Sequence, residues 1–280
     1  MLKRVLAVVC LVLVARATGA ATPAATTPAD RDIASLLGKP VAAELKLSCT
    51  FPTAPTNCGF RVQEKVPGRA SIVSFGRDGG TAVRLHTRPG DSNVAGSRDM
   101  QRTDLWLTQA ATGCFEGREQ VWELSVLFPD DFAFPTWQRY ALSGFHHTGR
   151  TGQGNFTLGF ERAAGAPTTA PGVLGFQGYG GTQDSGRFAA PVGPVAKNVW
   201  YDFVYHVRWS SGAEGFFDAW VNGEKKLEHR GPTLYRGQGC YFKLANYHTP
   251  ICDPYPACIG RDPPSSVIYD RVIRRDVGAQ

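Results

Sequence analysis

Two adjacent histidines and one strand with alternating polar side chains carry the residue types best suited to proton transfer. Tyr241, Lys243 and Tyr247 are separated by even numbers of residues, so in an extended strand their side chains face the same side. His146 falls on the polar phase of another predicted strand, and His147 takes its place if that strand bulges. Histidine suits a general base because its unperturbed pKa is ~6.5.

A third predicted strand adds a cation to this set. The guanidinium of Arg102 suits bidentate binding of a carboxylate. The alternative for Arg102 is a structural salt bridge with Asp104 or Glu123. Three such strands side by side would form a cationic groove that contains a base and a phenol. Weaker candidates for ligand contacts are Arg84, His86 and Arg208.

Short apolar segments separated by turns dominate the chain of 280 residues, which has 32 glycines and 19 prolines. No apolar 3.6-residue period lasts three turns, so little helix is expected. The dipeptide Asn222-Gly223 predicts a hairpin turn. The pattern predicts an all-β, single-domain sandwich of two antiparallel sheets. The predicted strands are 71–75, 81–86, 104–107, 120–128, 140–147, 155–161, 199–209, 215–221, 239–247 and 267–273.

The N-terminus resembles an export signal, with Lys3 and Arg4 before an apolar run and small residues near Ala20. We expect residues 1–20 to be a signal peptide, 21–31 a flexible linker and 32–280 the β-domain. No apolar run is long enough for a membrane anchor. The expected location is therefore secreted or periplasmic.

Six cysteines follow the predicted signal, an even number that suggests disulfides in an exported chain. Proximity favours two short local pairs and one long-range pair. The alternative is a zinc site, but the spacing has no Cys-x-x-Cys pair, so no metal site is expected. The expected pairs are Cys49–Cys58, Cys114–Cys240 and Cys252–Cys258.

The formal net charge of +6 falls to about +3 if the signal, with its three basic residues, is removed. A mild positive charge suits an acidic polymer. Nucleic acid is disfavoured because the chain has export and disulfide signals and lacks a nucleic-acid-binding motif. The catalytic motifs Gly-x-Ser-x-Gly and the P-loop are absent from the sequence.

Segments in the right order between Ala70 and Arg274 resemble the heparin lyase I and glucuronan lyase group, which is related to alginate-lyase-type jelly rolls. The most specific segment, Tyr-Phe-Lys-Leu-Ala-Asn-Tyr, is similar to the group's Tyr-Phe-Lys-x-Gly-x-Tyr. Three positions depart from the pattern: Gly144 replaces a glutamine, Asp104 a glutamate and Ala245 a glycine. The matching segments are Arg102–Leu105, Trp122–Phe132, Gly144–His147, Trp200–Trp209, Gly215–Gly223, Tyr241–Tyr247 and Val267–Val272.

The resemblance implies a concanavalin A-like jelly roll and a monomeric lyase that cleaves a uronate-containing anionic polysaccharide by β-elimination, without cofactor. Cations neutralise the C6 carboxylate, a base removes the C5 proton and an acid protonates the leaving oxygen. The implied catalytic residues are His146 or His147, Tyr241 or Tyr247, and Arg102. Substrate contacts would come from Lys243, Arg84, His86 and Arg208. Trp137 and Tyr179 lie in predicted loops where they can stack on sugar rings.

Two other functions fit parts of this pattern. A non-catalytic, lectin-like jelly roll or an inactive lyase relative shares the fold, the export signal and the disulfides. A glycoside hydrolase needs two opposed carboxylates, and the sequence has no Glu-x-Asp-x-x-Glu strand. The deciding feature is whether the histidine, the tyrosine and Arg102 meet in one groove.

Overall fold

Alternating apolar residues place this chain in two packed antiparallel sheets. The computed structural model describes residues 33–38, 43–91, 101–134, 138–149, 153–161, 173–182, 187–250 and 263–278. Within these residues the helices are α1 (Ile33–Leu37), α2 (Gln109–Thr112) and a short 3-10 turn (Asn57–Gly59). The strands are β1 (Ala43–Cys49), β2 (Arg61–Gln63), β3 (Ala70–Val73), β4 (Ala82–Thr87), β5 (Gln101–Trp106), β6 (Glu119–Leu127), β7 (Gln138–His147), β8 (Phe156–Glu161), β9 (Val173–Gly178), β10 (Phe188–Gly193), β11 (Trp200–Arg208), β12 (Phe216–Val221), β13 (Glu224–Arg230), β14 (Cys240–Pro250) and β15 (Ser265–Val277).

The strands divide between an eight-stranded and a seven-stranded sheet. The first has the order β13-β12-β11-β6-β15-β4-β3, with β1 paired to the second half of β15. The second has the order β10-β9-β8-β7-β14-β5-β2. Both orders combine consecutive strands with pairs that are distant in sequence, such as β6–β15 and β7–β14, as in a jelly roll. The predicted all-β sandwich with little helix is confirmed.

The core lies between the two sheets and is rich in aromatic rings. Trp122 of the eight-stranded sheet stacks on Phe242 of the seven-stranded sheet, with ring centroids 4.6 Å apart. Phe156 and Phe217 make a similar contact across the sheets at 4.0 Å. All four side chains are buried. These contacts fix the inner face of the seven-stranded sheet and leave its outer face to carry polar residues.

The hairpin predicted at Asn222-Gly223 joins β12 to β13. Asn222 has φ 51° and Gly223 has φ 85°. Two consecutive positive φ angles are the mark of the turn that matches the twist of paired strands. Val221 pairs with Glu224, so the turn has the predicted two residues.

Two of the three predicted disulfides, Cys49–Cys58 and Cys114–Cys240, are confirmed. Cys252 and Cys258 lie outside the described residues, as do the predicted signal peptide, the linker and Trp137. Among the described residues, no helix has the length and apolar character needed to cross a membrane.

Candidate active site

A groove of about 340 Å³ lies on the outer face of the seven-stranded sheet. Residues from β5, β14, β7 and β8 line it, together with Tyr179, which follows β9. The main polar lining residues are Arg102, Asp104, His146, Gln153, Thr157, Tyr179, Tyr241, Lys243 and Tyr247. The groove therefore contains the histidine, both tyrosines and both cations on which the sequence analysis depended.

Strand alternation places these side chains on one face. On β14, Tyr241, Lys243 and Tyr247 line the groove, whereas Phe242 and Leu244 are buried in the core. This is the alternation expected of a strand with one apolar and one polar face.

Cross-strand pairing then brings the partners together. Tyr241 pairs with His146 on β7, and Lys243 pairs with Gly144 two residues earlier. Tyr247 pairs with Arg102 on β5. His146 therefore lies at one end of the groove and Arg102 at the other, with Lys243 between them.

The floor of the groove between these ends has almost no side chains. A Cβ atom at Gly144 would lie 2.0 Å from the carbonyl oxygen of Phe156, so this position excludes any larger residue. Ala141 and Ala245 complete the floor. The glutamine that the resembled group has at the position of Gly144 thus has no counterpart there, and the open floor leaves room for a ligand.

One buried carboxylate joins the two cations. Asp104 is fully buried, and its Oδ2 atom accepts hydrogen bonds from Arg102 Nε at 2.8 Å and from Lys243 Nζ at 2.7 Å. The salt bridge with Asp104 that was the alternative for Arg102 is therefore present, and Arg102 lines the groove as well. Two cations share one anion, so the cluster keeps a net positive charge.

Burial lowers the pKa of Lys243, and the nearby Arg102 lowers it further. Asp104 acts in the opposite direction, through both its charge and its hydrogen bond. The carboxylate beneath the groove therefore favours the charged form of the lysine.

The surroundings of His146 favour its neutral form. Its Nδ1 atom lies 3.0 Å from the carbonyl oxygen of His147. A carbonyl only accepts, so Nδ1 carries the hydrogen and Nε2 keeps a free lone pair. Burial is the largest cause that lowers the pKa of His146, and the charges of Lys243 and Arg102 lower it too. These surroundings therefore favour the neutral form of the imidazole.

The two tyrosines have different surroundings. The Tyr241 ring lies 5.3 Å from the His146 ring and packs edge-on to Trp106 at 5.9 Å. Burial raises the pKa of Tyr241. The guanidinium carbon of Arg102 lies over the Tyr247 ring, 4.8 Å from the ring centroid. An anion held by Arg102 would therefore lie beside the phenol of Tyr247.

A neutral polar wall faces these residues from β8 and β9. Thr157 pairs with Gly144, and Gln177 pairs with Thr157. The amide of Gln177 donates to the hydroxyl of Tyr179. Tyr179 was expected as a sugar contact, whereas Thr157 and Gln153 were missed. The only sequence signal for Thr157 was the polar phase of β8, which many solvent-exposed strands share, and Gln153 precedes that strand.

The other sequence candidates lie away from the groove. His147 is buried, with its ring edge-on to Tyr235 at 5.5 Å. Arg84 and His86 lie in the eight-stranded sheet, where both contact Ser266 Oγ, at 2.7 and 2.8 Å. Arg208 ends β11 in that same sheet. The sheet in which a residue lies depends on the strands that its own strand pairs with, and the polar pattern of the strand itself does not show this.

Metal-ligand clusters are missing from the described part of the chain: no group of three or more histidine, cysteine, aspartate or glutamate side chains is arranged to hold an ion. Asp104 is the one carboxylate among the described residues that line the groove. A pair of opposed carboxylates, as hydrolysis of a glycoside needs, is therefore not formed by these residues.

Solved structures with this fold include two lyases. The endo-β-1,4-glucuronan lyase from the fungus Trichoderma reesei has 17% identity and a TM-score of 0.57, with 76% of this chain and 89% of that chain covered. A double mutant of the alginate lyase Aly36B in complex with an alginate trisaccharide has 17% identity and a TM-score of 0.51, with 83% and 98% covered. At this identity, both likenesses establish the fold alone.

The sequence itself matches a family model. No curated protein sequence matches the chain. Residues 57–272 match the model of the polysaccharide lyases, which is well over half of the chain. The matched range includes β5, β7 and β14, which carry the groove. The chain belongs to the polysaccharide lyase family.

Proposed function

We propose that this chain is a secreted or periplasmic lyase that cleaves a uronate-containing anionic polysaccharide by β-elimination. The observation that carries the proposal is the pair of cations, Arg102 and Lys243, on one buried carboxylate beside His146 and Tyr247. Two disulfides among the described residues support an oxidising compartment. A monomer suffices, because one chain supplies every group that the reaction needs.

In this mechanism Arg102 and Lys243 bind the C6 carboxylate of a uronate. Their positive charge stabilises the carbanion-like charge that develops next to the carboxylate when the C5 proton leaves. His146 accepts that proton on Nε2. The C5–H electron pair forms the C4–C5 double bond, and the bond from C4 to the glycosidic oxygen breaks.

The leaving oxygen needs a proton, and Tyr247 is the better placed donor. Its ring packs against Arg102, which holds the carboxylate only two bonds from C4. Tyr241 packs against the base itself and against Trp106, so its role is to orient His146. A phenol is able to give its proton to the glycosidic oxygen as that oxygen leaves.

The test is to incubate the purified protein with glucuronan, alginate, heparin and a neutral β-glucan. The expected result is an unsaturated uronate product, seen as a rise in ultraviolet absorbance, with at least one of the uronate polymers and none with the neutral glucan. Binding without any unsaturated product would instead identify a carbohydrate-binding protein. Release of saturated reducing ends would identify a hydrolase.

A further inference from the structure

The outer face of the seven-stranded sheet carries another cation beyond the groove. Arg61 on β2 pairs with Trp106 on β5, and Trp106 pairs with Lys243 on β14. Directly paired residues have their side chains on the same face of a sheet. The row that begins at Lys243 therefore continues through Trp106, one strand away, to Arg61, two strands away.

Contacts with Trp106 restrict the position of the Arg61 guanidinium. The Arg61 guanidinium lies over the Trp106 ring, 5.0 Å from its centroid. Trp106 is fixed in turn by its edge contact with Tyr241, at 5.9 Å. An arginine stacked on an aromatic ring loses little freedom when it binds a planar anion.

Arg61 also differs from the groove cations in its partners. Arg102 and Lys243 share the carboxylate of Asp104. Arg61 is exposed, and among the described residues no carboxylate forms an ion pair with it. Its N–H donors are therefore open to an anion from solvent.

The spacing suits a polymer that runs across the strands. Adjacent strands lie about 4.8 Å apart, so β2 lies roughly 10 Å from β14. This is close to the length of two pyranose rings. Gly144 and Thr157 continue the same row on the other side of Lys243, which gives the chain a path across the sheet.

We propose that Arg61, held against Trp106, forms a distal subsite that binds the carboxylate of a sugar about two rings from the cleaved bond. The proposal rests on the proposed function for the identity of the polymer. It adds that the protein binds a stretch of several sugars and acts on long chains better than on short ones.

The experiment compares Arg61→Ala and Trp106→Phe with the wild type on alginate and glucuronan polymers and on their disaccharides, which are too short to reach from Lys243 to Arg61. Arg230→Ala is the matched control, because Arg230 stacks on Phe216 at 5.4 Å in the other sheet. At low salt, Arg61→Ala should raise KM for the polymer about three- to fivefold, as expected of one exposed charge. For Arg61→Ala, the value of kcat and the KM for the disaccharide should stay unchanged. Trp106→Phe keeps an aromatic ring under Arg61, so its KM for the polymer should lie between those of the wild type and Arg61→Ala.

Salt and direct binding separate the possible results. The difference between Arg61→Ala and the wild type should disappear at high salt, because an exposed charge is screened. Equal KM values of Arg61→Ala and the wild type on the polymer, or an equal loss on the disaccharide, would overturn the subsite. Calorimetric binding of the uncleaved polymers keeps this test independent of catalysis. Weaker binding by Arg61→Ala without any cleavage by the wild type would support the subsite and reject the lyase.

Discussion

A general base works only in its unprotonated form, and two features of the groove favour that form at His146. The hydrogen bond to the carbonyl of His147 fixes the hydrogen on Nδ1. Burial and the two neighbouring cations lower the pKa. In the proposed mechanism the same cations bind the substrate carboxylate, so the groups that bind the substrate would also favour the unprotonated form of the base.

The pH dependence of the reaction should show this shift. A falling pH protonates His146 only below its pKa, which burial places below the ordinary value of 6.5. We therefore expect the acid limb of the kcat/KM profile to be centred below pH 6.5. His146→Ala should lower kcat about 10²- to 10⁴-fold. An acid limb centred at or above 6.5 in the wild-type profile would contradict this assignment.

The two tyrosines should separate in a pair of matched variants. Tyr247→Phe removes the proton donor and should lower kcat about 10²- to 10⁴-fold with little change in KM. Tyr241→Phe keeps the ring contacts with His146 and Trp106, so most of the activity should remain. The measurement is steady-state kinetics on the cleaved polymer, with thermal unfolding as the check on folding. If Tyr241→Phe is the inactive variant, the two roles are exchanged.

Asp104 should control binding through Lys243. Asp104→Asn removes the charge that raises the pKa of Lys243, so that pKa falls further. KM should then begin to rise at a lower pH than in the wild type, as the lysine loses its proton. Loss of the buried anion should also destabilise the fold by about 3–5 kcal/mol.

Asp104→Glu is the control for this effect, because it keeps the charge with a longer side chain. It should retain the wild-type pH dependence of KM even where its stability is reduced. Parallel KM profiles for Asp104→Asn and the wild type would show that the aspartate has only a structural role.

At the scale of elements, the register of β14 against β7 decides the length of the groove. The pairing shifts between Leu244 and Tyr247, so two residues of β14 face one residue of β7. Tyr269, from the opposite sheet, supports this bulge. Its hydroxyl lies 2.6 Å from the carbonyl oxygen of Leu142 and 2.7 Å from that of Ala245. The bulge lies between Lys243 and Tyr247, and therefore within the proposed site.

Tyr269→Phe tests this support. The loss of one buried hydroxyl that serves backbone carbonyls should reduce the free energy of unfolding by about 1–2 kcal/mol. The value of kcat should fall as well, because Tyr247 follows the bulge. Tyr201→Phe is the control, since the Tyr201 hydroxyl only accepts from the exposed backbone N–H of Ala196. Both variants are compared by chemical denaturation and by kinetics. A stability loss without any change in kcat would limit Tyr269 to a structural role.

The same strand shows what sequence reasoning reaches. The alternation of Tyr241, Lys243 and Tyr247 with Phe242 and Leu244 was readable, because a strand has a period of two. The bulge was not readable, because it depends on the partner strand and on a tyrosine from another sheet. Pairing also explains why two predicted contact residues, Arg84 and His86, lie in the other sheet. Polar phase alone does not say to which sheet a strand belongs.

At the scale of the whole molecule, the two disulfides differ in how far apart in the chain they connect. Cys114 lies just after α2, and Cys240 begins β14 next to Tyr241. The Cys114–Cys240 bond links residues that are 126 positions apart in sequence, whereas Cys49 and Cys58 are only 9 positions apart. A bond that closes a longer loop removes more conformations from the unfolded chain.

The two disulfides should therefore contribute unequally to stability. In the loop-entropy account, Cys114–Cys240 contributes about 5 kcal/mol and Cys49–Cys58 about 2–3 kcal/mol. The double variant Cys114→Ala, Cys240→Ala should accordingly unfold at a lower temperature than Cys49→Ala, Cys58→Ala, as measured by calorimetry. It should also lose activity at temperatures where it is still folded, because Cys240 anchors the strand that carries Tyr241 and Lys243. An equal fall in the unfolding temperature of the two double variants would show that these bonds do not stabilise the protein mainly by restricting the unfolded chain.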